Sequence, residues 1–154
     1  MKGNENFLLS TDVLFETRRA PMHPNVERFL KETEVNRLFL SVLSLGELRR
    51  QARDFHETDP EATVRFQDWL DEAKRSFDDR LLSVDGDVAD TWSAVEIDDI
   101  RSVTASLVAA TAASNSLILV TRNAKEAAGM NVRTLNPWHS AYRTRPAPST
   151  GDAS

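Results

Sequence analysis

Short, nearly unbroken apolar runs alternate along this chain with longer stretches whose apolar positions recur at helical spacing. The runs are Phe7 to Leu9, Leu38 to Val42, Leu81 to Val84, Leu117 to Thr121 and Val132 to Leu135. Continuous rather than alternating apolar character marks strands covered on both faces, as in a parallel sheet between helical layers. Between the runs, residues 25 to 33 carry Val26, Phe29 and Leu30 on one side, with Pro24 at the start. Residues 44 to 55 open with Ser44 and Glu47 in a capping-box pattern. Asp59 and Pro60 head a further helix, as N-cap and first-turn residue. Its Val64, Phe66, Trp69, Leu70, Ala73 and Phe77 mostly share a side. Residues 85 to 95 carry one stripe of Val88, Ala89, Trp92 and Val95. Residues 103 to 113 are apolar nearly all round and predict a buried helix, capped by Ser102 or Thr104. The alternation predicts an α/β domain with a five-stranded, mostly parallel sheet flanked by helices and joined by right-handed crossovers.

At 154 residues the chain suits one domain, expected over residues 1–142. Residues 143–154 have nothing to bury and are expected to be a disordered tail. The absence of cysteine excludes disulfides, Cys-ligated zinc and thiol catalysis. The apolar runs are far too short to span a membrane, and the start of the chain lacks the pattern of a signal peptide, so a cytoplasmic protein is expected. A net charge of −5 argues against a nucleic-acid field over the whole surface, while leaving room for local Arg clusters.

The candidate chemistry lies where strands end. Leu9 runs into Ser10-Thr11-Asp12, the second strand leads to Glu47, and the fourth runs into Thr121-Arg122-Asn123. In an open parallel α/β sheet, ligands bind just outside the carboxyl ends of the strands. Three such ends rich in oxygen ligands predict a single site.

These segments, in this order, resemble the PIN domain of the VapC-type toxin ribonucleases. The opening Phe7-Leu8-Leu9-Ser10-Thr11-Asp12-Val13-Leu14 is similar to the family's Leu-Leu-Asp-Thr-Asn-Val-Leu. Leu45-Gly46-Glu47-Leu48-Arg49-Arg50 resembles its Glu-bearing helix, and Arg80 to Asp85 followed by Trp92 its middle. Leu107-Val108-Ala109-Ala110-Thr111-Ala112 resembles its buried helix, and Leu119 to Asn123 with Leu135-Asn136-Pro137-Trp138 its closing segments. The resemblance covers roughly Asn6 to Trp138. It implies a five-stranded PIN-like nuclease that holds Mg²⁺ or Mn²⁺ on carboxylates and hydrolyses single-stranded RNA. It also implies a VapB-like antitoxin partner and a homodimer.

Carried over residue by residue, the family's acids give a mixed result. Glu47 and Glu126 are retained, whereas the first Asp falls on Ser10 and the Asp heading the buried helix falls on Ala105. Hard cations require oxygen ligands, and ligand charge largely sets affinity. The resemblance therefore implies weakened or lost activity, with Asp12, Glu47 and Glu126 as the remaining metal-binding or catalytic candidates if a metal is held, or no metal at all. The alternative is a silent PIN-fold protein that binds an antitoxin or a homologous toxin. Arg49, Arg122 and Asn123 are the candidates for contact with RNA.

Each candidate also has a plainer reading. Asp12 either offers a carboxylate beside Ser10 or caps a following helix. Glu47 either faces the pocket or completes a capping box with Ser44. Glu126 either joins the site or is a solvated acid near Lys125. Asp98 and Asp99 read as loop acids rather than substitutes for the acid missing at Ala105. Arg49, Arg50 and Arg53 either meet RNA phosphate or form a solvated face with Asp54 and Glu57. His23, His56 and His139 lack metal-ligand spacing and are expected to be exposed. Trp69, Trp92 and Trp138 read as core or dimer contacts.

Overall fold

The computed structural model describes residues 4–55, 58–96 and 103–139. The five apolar runs form one sheet: β1 (Phe7–Leu9), β2 (Leu38–Ser41), β3 (Leu81–Leu82), β4 (Ile118–Val120) and β5 (Thr134–Leu135). Their order is β3-β2-β1-β4-β5, and every pairing is parallel. β1 lies at the centre, with Phe7 opposite both Leu38 and Ile118. The chain builds outward from β1 on one side and then on the other, which places the topological switch point between β1 and β4.

Among the described residues, six α-helices cover the sheet: α1 (Thr11–Glu16), α2 (Pro24–Glu32), α3 (Val42–Phe55), α4 (Pro60–Ser76), α5 (Gly86–Ser93) and α6 (Val103–Ser114). Strand side chains alternate between two cores. Phe7, Leu9, Leu38, Leu40, Ile118 and Val120 meet residues of α1 to α4 on one face. Leu8 and Leu119, with Phe39 at the margin, meet α5 and α6 on the other. Both faces are dry, which accounts for the continuous apolar runs. α6 is rich in Ala, and its buried Ala109, Ala110 and Ala112 let it lie close against the sheet.

Several boundaries move from their expected places. α3 starts at Val42, straight out of β2, so Ser44 lies inside the helix and the capping box with Glu47 does not form. Ser41 serves that end instead, its hydroxyl accepting from the Leu43 N–H at 3.1 Å. α1, six residues long, is too short to show a period in sequence. Asp59 and Asp85 do cap their helices, accepting from the N–H of Ala62 and Val88. Thr104 lies in the first turn of α6, while Ser102, His56, Asp98, Asp99 and the 143–154 tail lie outside the described residues. His23 is half-buried rather than exposed, and its Nδ1 caps α2 by accepting from the Asn25 N–H.

Candidate functional site

The carboxyl ends of β1 and β4 are tied together by the Ser10 N–H, which donates to the Val120 carbonyl at 3.0 Å. Beside this junction, at the switch point, a cavity of about 480 Å³ opens. It is lined by Ser10, Asp12 and Glu16 from the β1–α1 segment, Glu47 from α3, and Ala105 from α6. Arg122, Glu126 and Trp138 from the segments after β4 and β5 complete the functional lining. Asp12, Glu47 and Glu126, far apart in sequence, thus face one space together with the Ser10 and Ala105 positions.

Asp12 is held tightly. The N-cap position of α1 belongs to Ser10, without a side-chain cap bond, so Asp12 sits in the first helical turn. Its Oδ1 accepts from the Ser10 hydroxyl and from the Val13 N–H. Its Oδ2 accepts from the Arg122 N–H at 3.0 Å, linking positions 110 residues apart. Ser10 and Asp12 are adjacent through a helical turn rather than an extended segment.

Glu126 is half-buried and not a solvated acid. The Thr121 hydroxyl donates to its Oε2 at 3.2 Å and also accepts from the Asn123 N–H. Burial and then the Asp12 carboxylate push the Glu126 carboxyl up to about 7. The Thr121 hydrogen bond opposes that rise, and the Glu47 charge adds to it. The three acids therefore repel one another across the cavity.

A fourth acid was not anticipated. Glu16 is buried at 3% exposure, lies one helical turn beyond Asp12, and lines the same space. It accepts from the His23 N–H at 2.9 Å and pairs with Arg19 at 3.4 Å. The i, i+4 spacing from Asp12 was the available signal, because it puts both side chains on one face of any helix formed there.

Two expected site residues lie elsewhere. Arg49 does not line the cavity; its guanidinium pairs with Asp71 of α4 at 2.5 Å and holds that carboxyl below its usual range. The Asn123 side chain accepts from the Lys125 N–H at 3.1 Å, closing its own turn. Arg122 does reach the cavity, with its guanidinium 4.0 Å from the Trp138 ring centre. The Trp138 indole N–H is buried with no acceptor among the described residues. Trp69 stacks on Phe66, and Trp92 donates to Ser106 Oγ at 2.9 Å, so both serve packing.

The donor set has the hard-oxygen chemistry of a Mg²⁺ or Mn²⁺ centre, but its placement does not fit one. Among the described residues, no three acidic or histidine side chains form a group able to hold a metal ion. Asp12 Oδ1 is already taken up by two donors, Ser10 supplies a hydroxyl, and Ala105 supplies only a methyl group.

No protein-family model and no curated protein matches the sequence. Solved structures do match its fold. FitAcB from Neisseria gonorrhoeae is 24% identical with a TM-score of 0.75, over 86% of this chain and 99% of that one. DNA-bound VapBC from Salmonella typhimurium is 21% identical with a TM-score of 0.59, over 84% of this chain and 98% of that one. A toxin–antitoxin complex from Klebsiella pneumoniae is 20% identical with a TM-score of 0.57, over 86% and 98%. At these identities the likeness establishes the fold, a PIN-like α/β domain with a five-stranded parallel sheet. Among the described residues, no helix is long and apolar enough to cross a membrane.

Proposed function

We propose that this chain is the VapC-type member of a toxin–antitoxin pair and acts mainly by binding, its metal-dependent ribonuclease activity being weak or lost. The observation that carries this reading is the cavity at the switch point. It keeps Asp12, Glu47 and Glu126 around a centre where Ser10 and Ala105 cannot supply charge. Each missing carboxylate lowers the ligand charge that sets affinity for a hard cation. Likeness in fold to toxin–antitoxin structures supports the antitoxin part of the reading.

The partner is a VapB-like antitoxin. A net-acidic cavity is complementary to a basic side chain, and such complementarity fixes register and speeds association. The homodimer is part of the same proposal and rests on family resemblance alone.

The test is a cleavage assay on single-stranded RNA with Mn²⁺, comparing the wild-type chain with the Ser10→Asp/Ala105→Asp double variant. Little or no cleavage by the wild type and measurable cleavage by the double variant is the expected result. Efficient wild-type cleavage, abolished by EDTA and by Glu47→Ala, would overturn it. That outcome belongs to a second reading, in which Asp12, Glu47 and Glu126 share one Mg²⁺ or Mn²⁺. This second reading rests on the grouping of Asp12, Glu47 and Glu126 around one cavity.

A further inference from the structure

Beside the acidic cavity, at the carboxyl ends of β4 and β5, lies a second cleft of about 270 Å³. Arg122, Asn123, Lys125, Asn136 and His139 line it, and no described carboxylate does. Arg122 borders both spaces. We propose that the two spaces together form a docking site for an extended peptide segment of a protein partner. The cavity takes a basic side chain of that segment, and the cleft takes an acidic side chain close to it in sequence. This site rests on the antitoxin reading and adds what the partner's segment carries besides its basic residue.

Three observations carry this assignment. The first is that charges in both spaces lack partners. Neither Arg122 nor Lys125 forms an ion pair with a described residue, and Glu47 forms neither an ion pair nor a hydrogen bond with one. The second is that the spaces adjoin yet differ in sign. In the cavity Asp12, Glu16, Glu47 and Glu126 outnumber the cations, while the cleft gathers Arg122, Lys125 and the His139 imidazole. An occupant of one sign is drawn to one space and repelled by the other. A chain of phosphates anchored in the cleft would bring its next charges to the acids, whereas a peptide can carry both signs. The third is that Arg122 is preorganised. Its N–H donates to Asp12 Oδ2 and its carbonyl accepts from Asn136 Nδ2 at 3.3 Å, while its guanidinium rests over Trp138. A guanidinium held on an aromatic face loses little freedom on meeting a carboxylate, and its planar fork matches the two oxygens.

Because Arg122 is common to both spaces, their occupants are neighbours. In an extended chain, side chains two residues apart point the same way and lie about 7 Å apart. A basic and an acidic residue at that spacing can each face one space. Charge complementarity of this kind fixes register and rejects segments that carry the wrong pattern.

The test is a titration of end-blocked pentapeptides into the full chain at low salt, followed by backbone amide NMR. Two mixed peptides, Ala-Arg-Ala-Asp-Ala and Ala-Asp-Ala-Arg-Ala, are compared with the basic-only Ala-Arg-Ala-Ala-Ala. One mixed peptide is expected to bind about fivefold more tightly than the basic-only one, the increment of a partly exposed ion pair. The chain's net charge of −5 favours the basic-only peptide, so such a gain comes only from a local contact. Lys125→Gln is expected to remove the gain and leave the basic-only affinity unchanged. Lys74→Gln, the same change on α4, is expected to leave the gain intact. Glu47→Gln is expected to weaken all three peptides. Equal wild-type affinities for mixed and basic-only peptides would overturn the proposal, as would a gain that survives Lys125→Gln or is lost equally with Lys74→Gln. If the basic-only peptide still binds and Glu47→Gln still weakens it, that failure leaves the antitoxin reading standing. No saturable binding by any of the three would overturn the inference and count against a basic side chain in the cavity. A single-stranded RNA oligonucleotide that binds through Lys125, where no mixed peptide shows a gain, would assign the cleft to nucleic acid and overturn the proposal too.

Discussion

Two adjoining spaces at the carboxyl end of the sheet share Arg122 and differ in almost everything else. The acidic cavity is assembled from five separate parts of the chain and holds Asp12, Glu16, Glu47 and Glu126. The basic cleft comes from two neighbouring segments after β4 and β5 and holds Arg122, Lys125 and His139. In the cavity, Glu126 is half-buried and faces like charges, and it holds its proton up to about pH 7. In the cleft, the described cations face no acid. One space has more acids than bases in its lining, and the other has no described carboxylate. A switch point thus supplies position for chemistry, while side chains alone decide which chemistry it is.

The strongest way to sharpen the contrast is to restore what the cavity lacks. Ser10→Asp with Ala105→Asp is expected to raise Mn²⁺ affinity by roughly a hundredfold, since ligand charge dominates hard-cation binding. Calorimetric titration of the double variant measures it. An unchanged affinity would mean that these two positions do not border a cation site.

Removing the bond between the two spaces comes next. Asp12→Ala leaves the Ser10 hydroxyl and the Val13 and Arg122 N–H groups without their shared acceptor. The expected cost is about 2 kcal/mol, a melting temperature lower by about 4–8 °C. Because Arg122 loses one of its backbone ties, affinity for the mixed peptide should fall as well. A thermal melt unchanged from wild type would break the link between cavity and cleft.

Burial of Glu126 and the repulsion inside the cavity predict a dependence on pH. Glu126 binds its proton more tightly folded than unfolded, so stability falls as pH rises from about 4.5 towards about 7. Glu126→Gln removes the charge that repulsion opposes. It is expected to melt about 2–4 °C above wild type at pH 8, with no such gain at pH 5. A gain of equal size at both pH values would contradict this origin.

The smallest effect is expected at Arg49. Its pairing with Asp71 lies on the partly exposed α3–α4 surface, away from both spaces. Arg49→Ala should change neither Mn²⁺ nor peptide titrations, whereas a clear loss of affinity for the mixed peptide would extend the basic region beyond the cleft.

The strands were legible because both faces of the sheet are buried, so Phe7-Leu8-Leu9 and Ile118-Leu119-Val120 had to be apolar throughout. The edge strands β3 and β5 are only two residues each, shorter than the apolar runs that announce them. The start of α3 was hidden because β2 passes directly into it, while Ser44 offered a false cap one turn later; in the fold that hydroxyl accepts from Thr11. At the candidate site, strand-end position was enough to group Asp12 and Glu47, and the family resemblance added Glu126. Glu16 escaped because α1 is too short to display a period. Arg49 and Asn123 were placed by their distance in sequence from site residues, yet the partners that direct them are Asp71 on another helix and the Lys125 N–H. The basic cleft was visible only as Arg122 and Asn123, since Lys125, Asn136 and His139 become their neighbours through the β4–β5 pairing.

The most direct measurement is a calorimetric titration of Mn²⁺ into the wild-type chain at neutral pH, with Glu47→Ala beside it. The arrangement of acids predicts no saturable binding below millimolar concentration and indistinguishable heats for the two proteins. Micromolar binding that Glu47→Ala abolishes would contradict it, and would mean that Asp12, Glu47 and Glu126 close around a cation despite Ser10 and Ala105.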